Sequence, residues 1–187
     1  MLILASQSPR RSELLKIAGI PFAISPANVD ETPKDGEEPE EYVKRIAEMK
    51  AIAAPAAPAA PASGDEIVLG ADTIVIIDDA MLGKPKDEAD AARMLGLLSG
   101  RRHEVITGIC LKGRGKLVGD WAVTRVWFAP LSEAEITEYV ASGEPMDKAG
   151  AYAIQGLGSK FVERIDGSYD NVVGLPVALV YKHLKQF

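Results

Sequence analysis

Short continuous apolar runs alternate along the chain with stretches whose apolar residues recur at helical spacing. Leu2-Ile3-Leu4 is a brief apolar run and reads as a buried strand. Ser8 and Pro9 follow as a helix N-cap and first helical residue, because proline lacks the N–H that a first turn leaves unpaired. Leu14, Leu15 and Ala18 form the apolar stripe of that helix, and Gly19 ends it. A short strand is predicted over 21–25, then a polar loop over 28–33. A second helix opens at Pro39, with Glu40 and Glu41 at its positive end and Tyr42, Val43, Ile46, Met49 and Ala53 on one face. The run 67–77 is apolar at both odd and even positions, as expected of a central strand covered on both sides. Asp78-Asp79-Ala80 reads as a turn. Asp87 caps a helix through Ala91, Met94, Leu95 and Leu98 that stops at Ser99-Gly100. Two strands, 103–111 and 117–128, form an antiparallel hairpin around the turn 112–116. Ser132 and Glu135 make a capping box, with Leu131 and Ile136 as its hydrophobic staple, for a helix ending at Gly143. A strand passes through Phe161-Val162, and 167–176 turns into a last helix with Pro176 at its start.

Composition narrows the class. The pattern over 187 residues predicts one domain with a core large enough to need no staples. Residues 51–64, almost all alanine and proline, read as a low-complexity surface connector, since the repeated prolines forbid continued helix. The net charge of −6 argues against a general nucleic-acid surface, so an anionic ligand would need a local cluster of cations. Cys110 is the only cysteine, and it sits in an apolar run as a small core residue. His103 and His183 are the only histidines, which excludes a histidine-rich metal site. No apolar run reaches membrane-spanning length and the start lacks a basic leader, so a cytoplasmic protein is expected.

A few residues break the pattern in ways that imply chemistry. Arg10 and Arg11 occupy the first turn of a helix, where a cation is unfavourable by about 0.3–1 kcal/mol. Two readings stay open: both arginines lie in solvent beside Glu13, or they join Ser6, Ser8 and the free N–H groups in holding phosphate. Lys50 falls within the apolar face of the second helix. It either snorkels to solvent, the commoner outcome, or reaches into a pocket. Asp72 and Thr73 interrupt the central strand. A buried carboxylate needs cationic or metal partners, and the apolar run resumes at once, which favours a functional aspartate over a bulge at Gly70 that turns it to solvent. Lys84 precedes Pro85 and is held extended; taken alone it reads as solvated. The stretch 147–158 is glycine-rich without a dinucleotide or P-loop spacing, as if backbone passed close to a ligand.

Taken together, Ala5-Ser6-Gln7-Ser8-Pro9-Arg10-Arg11, Asp30-Glu31-Thr32, Glu48-Met49-Lys50-Ala51, Gly70-Ala71-Asp72-Thr73, Gly83-Lys84-Pro85, Asp147-Lys148-Ala149-Gly150 with Gln155-Gly156, and Asn171-Val172-Val173-Gly174-Leu175-Pro176 resemble the Maf family of nucleoside triphosphate pyrophosphatases. The pieces occur in family order and span almost the whole chain. The resemblance implies a mixed α/β fold: a strongly twisted mixed β-sheet flanked by helices, in two lobes with a central cleft, like the inosine-triphosphate pyrophosphatases. It also implies hydrolysis of a nucleoside triphosphate to the monophosphate and pyrophosphate with a divalent cation, Mg²⁺ or Mn²⁺. Ser6, Arg10 and Arg11 would hold the phosphates or base, and Glu31, Lys50, Asp72 and Lys84 would form the charged centre. Glu31 and Asp72 would be the metal ligands and Asp72 the proton acceptor for water, with base, metal ligand or both left open for Asp72. Arg10, Thr73 and Gln155 resemble the branch that prefers dTTP and UTP, with modified pyrimidine nucleotides as further substrates and a homodimer as the expected assembly. The competing expectations are a nucleotide-sensing regulator of cell division or septum formation that binds without turnover, and a different phosphohydrolase.

Overall fold

The computed structural model describes residues 1–55 and 65–187. Most of the 51–64 connector therefore lies outside the described residues. Its first part is corrected, because residues 51–53 are the last turn of a helix. Proline first enters at Pro55, so Ala51, Ile52 and Ala53 are free to continue the helix ahead of it.

The strands are β1 (Leu2–Leu4), β2 (Phe22–Ile24), β3 (Ile67–Ile77), β4 (Ala80–Leu82), β5 (Arg102–Gly113), β6 (Lys116–Phe128) and β7 (Val162–Asp166). The helices are α1 (Pro9–Ile17), α2 (Pro39–Ala53), α3 (Glu88–Leu98), α4 (Glu133–Ala141), α5 (Tyr169–Val173) and α6 (Val177–Leu184). Among the described residues the strands form one mixed sheet in the order β2-β1-β3-β5-β6-β7, with β4 paired to β3. β1 lies parallel to β2 and to β3, whereas β4 and β7 run antiparallel to β3 and β6. This is the expected mixed α/β class. No helix among the described residues is long and apolar enough to cross a membrane.

By contacts the chain divides into two compact units. The first comprises residues 1–72, 107–122 and 174–187; the second, 73–106 and 123–173. The first is built on Ile3, Leu4, Leu15, Val43, Ile46, Leu69, Ile109 and Leu111, all fully enclosed. Cys110 packs with Ala47 and Ala51, and burial pushes its thiol up to about 12, in keeping with an inert core residue. The second unit has a core of Val75, Leu95, Leu98, Val126, Phe128, Tyr139, Tyr152 and Phe161. Its aromatic rings meet edge to face, with Phe128 and Tyr152 centroids 4.6 Å apart and Tyr139 and Phe161 5.1 Å apart.

Local chemistry explains most boundaries. Asp87 caps α3 by accepting from the Asp90 N–H at 2.8 Å. α3 buries Ala91, Met94, Leu95 and Leu98, the predicted stripe. The Ser132–Glu135 capping box is complete. Arg114 and Gly115, both at positive φ, form the two-residue turn between β5 and β6.

Four expectations are corrected. Ser8 occupies the N-cap position of α1, but its side chain makes no capping bond. Ser6 Oγ accepts from the Ser8 N–H instead, at 3.2 Å. Ala18 is exposed; the buried side of α1 is Arg11, Ser12, Leu14 and Leu15. Ala80 is not in a turn: Asp78 at φ 51° folds the chain so that β4 pairs back on β3. Finally, the approach to the last helix contains a short helix of its own, α5.

Candidate active site

The charged centre of the first unit depends on how closely helix α2 lies on the sheet. A Cβ added to Gly70 of β3 would stand 2.0 Å from the Ala47 carbonyl oxygen, and one added to Gly108 of β5 would stand 2.4 Å from the Val43 carbonyl oxygen. Val43 and Ala47 are one turn apart, so the two glycines seat α2 directly on backbone. Lys50, three residues past Ala47, is thereby brought to Asp72, two residues past Gly70. Its ammonium lies 2.7 Å from Asp72 Oδ1 and 2.7 Å from Glu31 Oε1. Lys50 does not snorkel: it is 9% exposed, and Asp72 is 7% exposed. The strand keeps Asp72 inward.

Arg11 completes this centre from α1. It is buried, and donates through Nε to the Gly174 carbonyl at 2.8 Å, and through Nη1 to the Ala71 carbonyl at 2.8 Å and to Ser6 Oγ at 3.1 Å. The guanidinium therefore ties the Ser6 stretch to the residue before Asp72 and to the segment before α6. Of the two open readings, the solvent-exposed one fails for Arg11. Arg10, in the same turn, is half-buried. Burial lowers the Arg11 pKa, opposed by the nearby Asp72 carboxylate. Burial raises the Asp72 pKa above the ordinary aspartate value, opposed by Lys50 and Arg11. A carboxylate so placed gains basicity while staying paired, a combination suited to accepting a proton.

Glu31 sits on an exposed loop that α2 holds in place. The Tyr42 hydroxyl donates to the Glu31 carbonyl at 2.8 Å, and Arg45 Nη2 donates to the Thr32 carbonyl at 3.1 Å. Arg45 also grips Glu37 through two bonds of 2.6 and 2.7 Å. Asp30 accepts from the Thr32 N–H and hydroxyl, at 2.9 and 2.6 Å. Sequence reasoning assigned Tyr42 only to an apolar face and overlooked Arg45 and Glu37. The available signal was a polar fork one turn along from a tyrosine on the same helix.

The second unit holds the remaining residues. Thr73, next after Asp72 in β3, is half-buried. Lys84 is exposed and has no ion pair among the described residues. Gln155 is half-buried, in the loop before the 3₁₀ turn Leu157–Phe161. The structure thus gathers Ser6, Arg11, Glu31, Lys50 and Asp72 around shared contacts, and places Thr73, Lys84 and Gln155 in the other unit.

Two carboxylates directed at one ammonium also suit a divalent cation. Mg²⁺ prefers oxygen ligands and takes one or two carboxylates, filling its remaining positions with water and phosphate oxygens. Glu31 and Asp72 supply such a donor set. Among the described residues no group of three or more His, Cys, Asp and Glu side chains converges, so a protein-only cage of that size is not what these residues would offer.

A family model described as Maf-like protein matches residues 1–187. The chain is 51% identical over 185 residues to a dTTP/UTP pyrophosphatase of Koribacter versatilis (strain Ellin345), covering 99% of this chain and 93% of that protein. It is 53% identical over 182 residues to a dTTP/UTP pyrophosphatase of Anaeromyxobacter sp. (strain Fw109-5), covering 95% of this chain and 84% of that one. A dTTP/UTP pyrophosphatase of Bacillus cereus (strain AH820) is 50% identical over 186 residues, covering 100% and 95%.

Proposed function

We propose that this chain, which belongs to the Maf family, is a nucleoside triphosphate pyrophosphatase that converts dTTP and UTP to the monophosphate and pyrophosphate. The observation that carries the chemical reading is the buried pair Lys50–Asp72, with Glu31 on the same ammonium. The substrate is supported by the dTTP/UTP pyrophosphatases that align with it over nearly the full chain.

Hydrolysis of a phosphoanhydride needs an oriented water, an acceptor for its proton and compensation of charge on the phosphate oxygens. Asp72 is the proton acceptor in this reading: it is buried, its pKa is raised, and Lys50 fixes its orientation. Lys50 and Arg11 offset the two carboxylates, Glu31 and Asp72, so that the centre does not carry a net negative charge toward phosphate. Ser6, held by Arg11, and Arg10 face the phosphate chain or base; Thr73 and Gln155 contribute to recognition of the pyrimidine, whose edge a glutamine amide can meet as both donor and acceptor. Lys84, exposed in the second unit, would add positive charge for the phosphates. Glu31 and Asp72 would hold Mg²⁺ or Mn²⁺, which when bound withdraws charge from phosphate oxygens.

The test is a panel of dTTP, UTP, dCTP, GTP and modified pyrimidine triphosphates, with pyrophosphate and orthophosphate assayed separately. Pyrophosphate released fastest from dTTP and UTP is the expected result. Best turnover of a purine nucleotide would overturn the specificity, and orthophosphate as the product would overturn the reaction. Tight dTTP binding without product would favour the sensing regulator.

A further inference from the structure

Gln155 is one of the two residues that contribute to pyrimidine recognition in the proposed function, yet its side chain makes no hydrogen bond among the described residues, whereas its flanks are tied down on both sides. On the near side, the Ala153 N–H donates to the Tyr139 hydroxyl at 3.2 Å, and the Tyr152 hydroxyl meets His103 Nε2 at 2.8 Å inside the aromatic core. On the far side, the Glu144 carboxylate accepts from the Leu157 N–H at 3.0 Å and from the Gly158 N–H at 3.1 Å. One group joins the two flanks: the Tyr139 hydroxyl donates to Glu144 Oε1 at 2.9 Å. Between them, Gly156 adopts φ 85°, ψ −150°, a region essentially reserved for glycine. A Cβ there would stand 2.6 Å from Glu144 Oε2. Lys148 Nζ in turn donates to the Glu144 carbonyl at 2.5 Å, holding the carboxylate's own backbone.

We propose that Glu144 and Tyr139 are positioning residues for nucleotide selection: they hold the loop that presents the Gln155 amide, so that preference for a pyrimidine depends on a carboxylate that does not touch substrate. The inference rests on the proposed function, and it separates from a packing role because Glu144 acts on the backbone at Leu157 and Gly158 rather than by filling core volume. A glutamine at position 144 cannot replace it, since its amide nitrogen would face one of three donors that the carboxylate now satisfies.

The experiment measures kcat and KM for dTTP, UTP and dCTP in the wild type, Glu144→Gln, Tyr139→Phe, Gln155→Ala and the double variant Glu144→Gln/Gln155→Ala. Glu144→Gln is expected to lower the dTTP-over-dCTP ratio of kcat/KM about tenfold, mainly through KM for dTTP. Tyr139→Phe keeps the ring against Phe161 and is expected to shift the ratio in the same direction by less. Once Gln155 is alanine, adding Glu144→Gln is expected to change the ratio by less than about twofold, because the group being positioned is gone. A ratio unchanged in folded Glu144→Gln or Tyr139→Phe, a loss falling equally on kcat for all three nucleotides, or full additivity in the double variant would overturn the proposal. A wild-type enzyme without preference for dTTP and UTP would overturn the substrate reading beneath it, an outcome distinct from those three.

Discussion

The charged centre around Lys50 and the loop around Gln155 are built by opposite means. The first is assembled from residues far apart in sequence: α1 supplies Arg11, the 30–37 loop Glu31, α2 Lys50 and β3 Asp72. Its partners are charged and mostly buried, and it exists only because α2 is seated on Gly70 and Gly108. The second is assembled within about twenty residues, from neutral N–H and hydroxyl donors gathered on one carboxylate. Removing a partner from the first strands a buried charge, which costs about 3–5 kcal/mol. Removing one from the second loosens a loop. The first should therefore govern whether the reaction occurs, and the second which nucleotide is chosen.

The largest expected effect is on Asp72. Asp72→Asn keeps the side-chain shape but removes the proposed proton acceptor, and pyrophosphate release from dTTP should fall about 10³-fold. Lys50→Met comes next: it leaves Asp72 and Glu31 without their shared cation, and should lower kcat about a hundredfold. The acid side of the pH profile should also move to higher pH in this variant, because the positive neighbour that lowers the Asp72 pKa is gone. In the wild type that acid limb should already lie above the ordinary aspartate value of 3.8, since burial raises the Asp72 pKa and the proposed mechanism uses its unprotonated form. An acid limb unmoved in Lys50→Met, measured as kcat/KM against pH, would separate Asp72 from proton transfer.

Gly108→Ala probes the seat of α2 and not the charges themselves. Its Cβ would collide with the Val43 carbonyl, and displacement of the helix should cost about 1–3 kcal/mol in thermal unfolding, with activity falling alongside. Gln155→Ala should raise KM for dTTP about tenfold and leave the acid limb where it is, which would set the two regions apart in one experiment. The smallest effect belongs to Glu37. Arg45 depresses its carboxyl from 4.5 to about 2, so the stability it adds is fully present above about pH 4.5 and is lost as the pH falls through about 2. Glu37→Gln should lower stability by less than about 1 kcal/mol at neutral pH. Its unfolding temperature should converge on that of the wild type as the pH falls over that range.

The same contrast explains what could be read from the sequence. Elements with local signals were legible: the Asp87 cap, the Ser132–Glu135 box, the stripe of α3 and the proline start of α2. Asp72 was legible too, because a carboxylate inside an apolar strand is costly unless paired. Lys50 was not settled, since whether a lysine on an apolar face turns inward depends on what faces it, and Gly70 and Gly108 lie on other elements. The buried side of α1 was half hidden for a similar reason: Arg11 and Ser12 are polar, so hydrophobic spacing marked only Leu14 and Leu15 and wrongly extended the stripe to Ala18. The strand β4 escaped because three residues carry little pattern, and α5 because five residues with an aspartate and an asparagine resemble a turn. The roles of Tyr42 and Glu144, and the bond from Arg45 to the Thr32 carbonyl, went unread because they act on backbone groups, which the side-chain sequence does not display.

The most direct measurement is pyrophosphate release from saturating dTTP with Mg²⁺ by the wild type and Asp72→Asn, with dTTP binding and circular dichroism recorded on the same samples. A folded variant that binds dTTP yet releases pyrophosphate about 10³-fold more slowly is the predicted result. Turnover near the wild-type rate would contradict the assignment of the chemistry to Asp72.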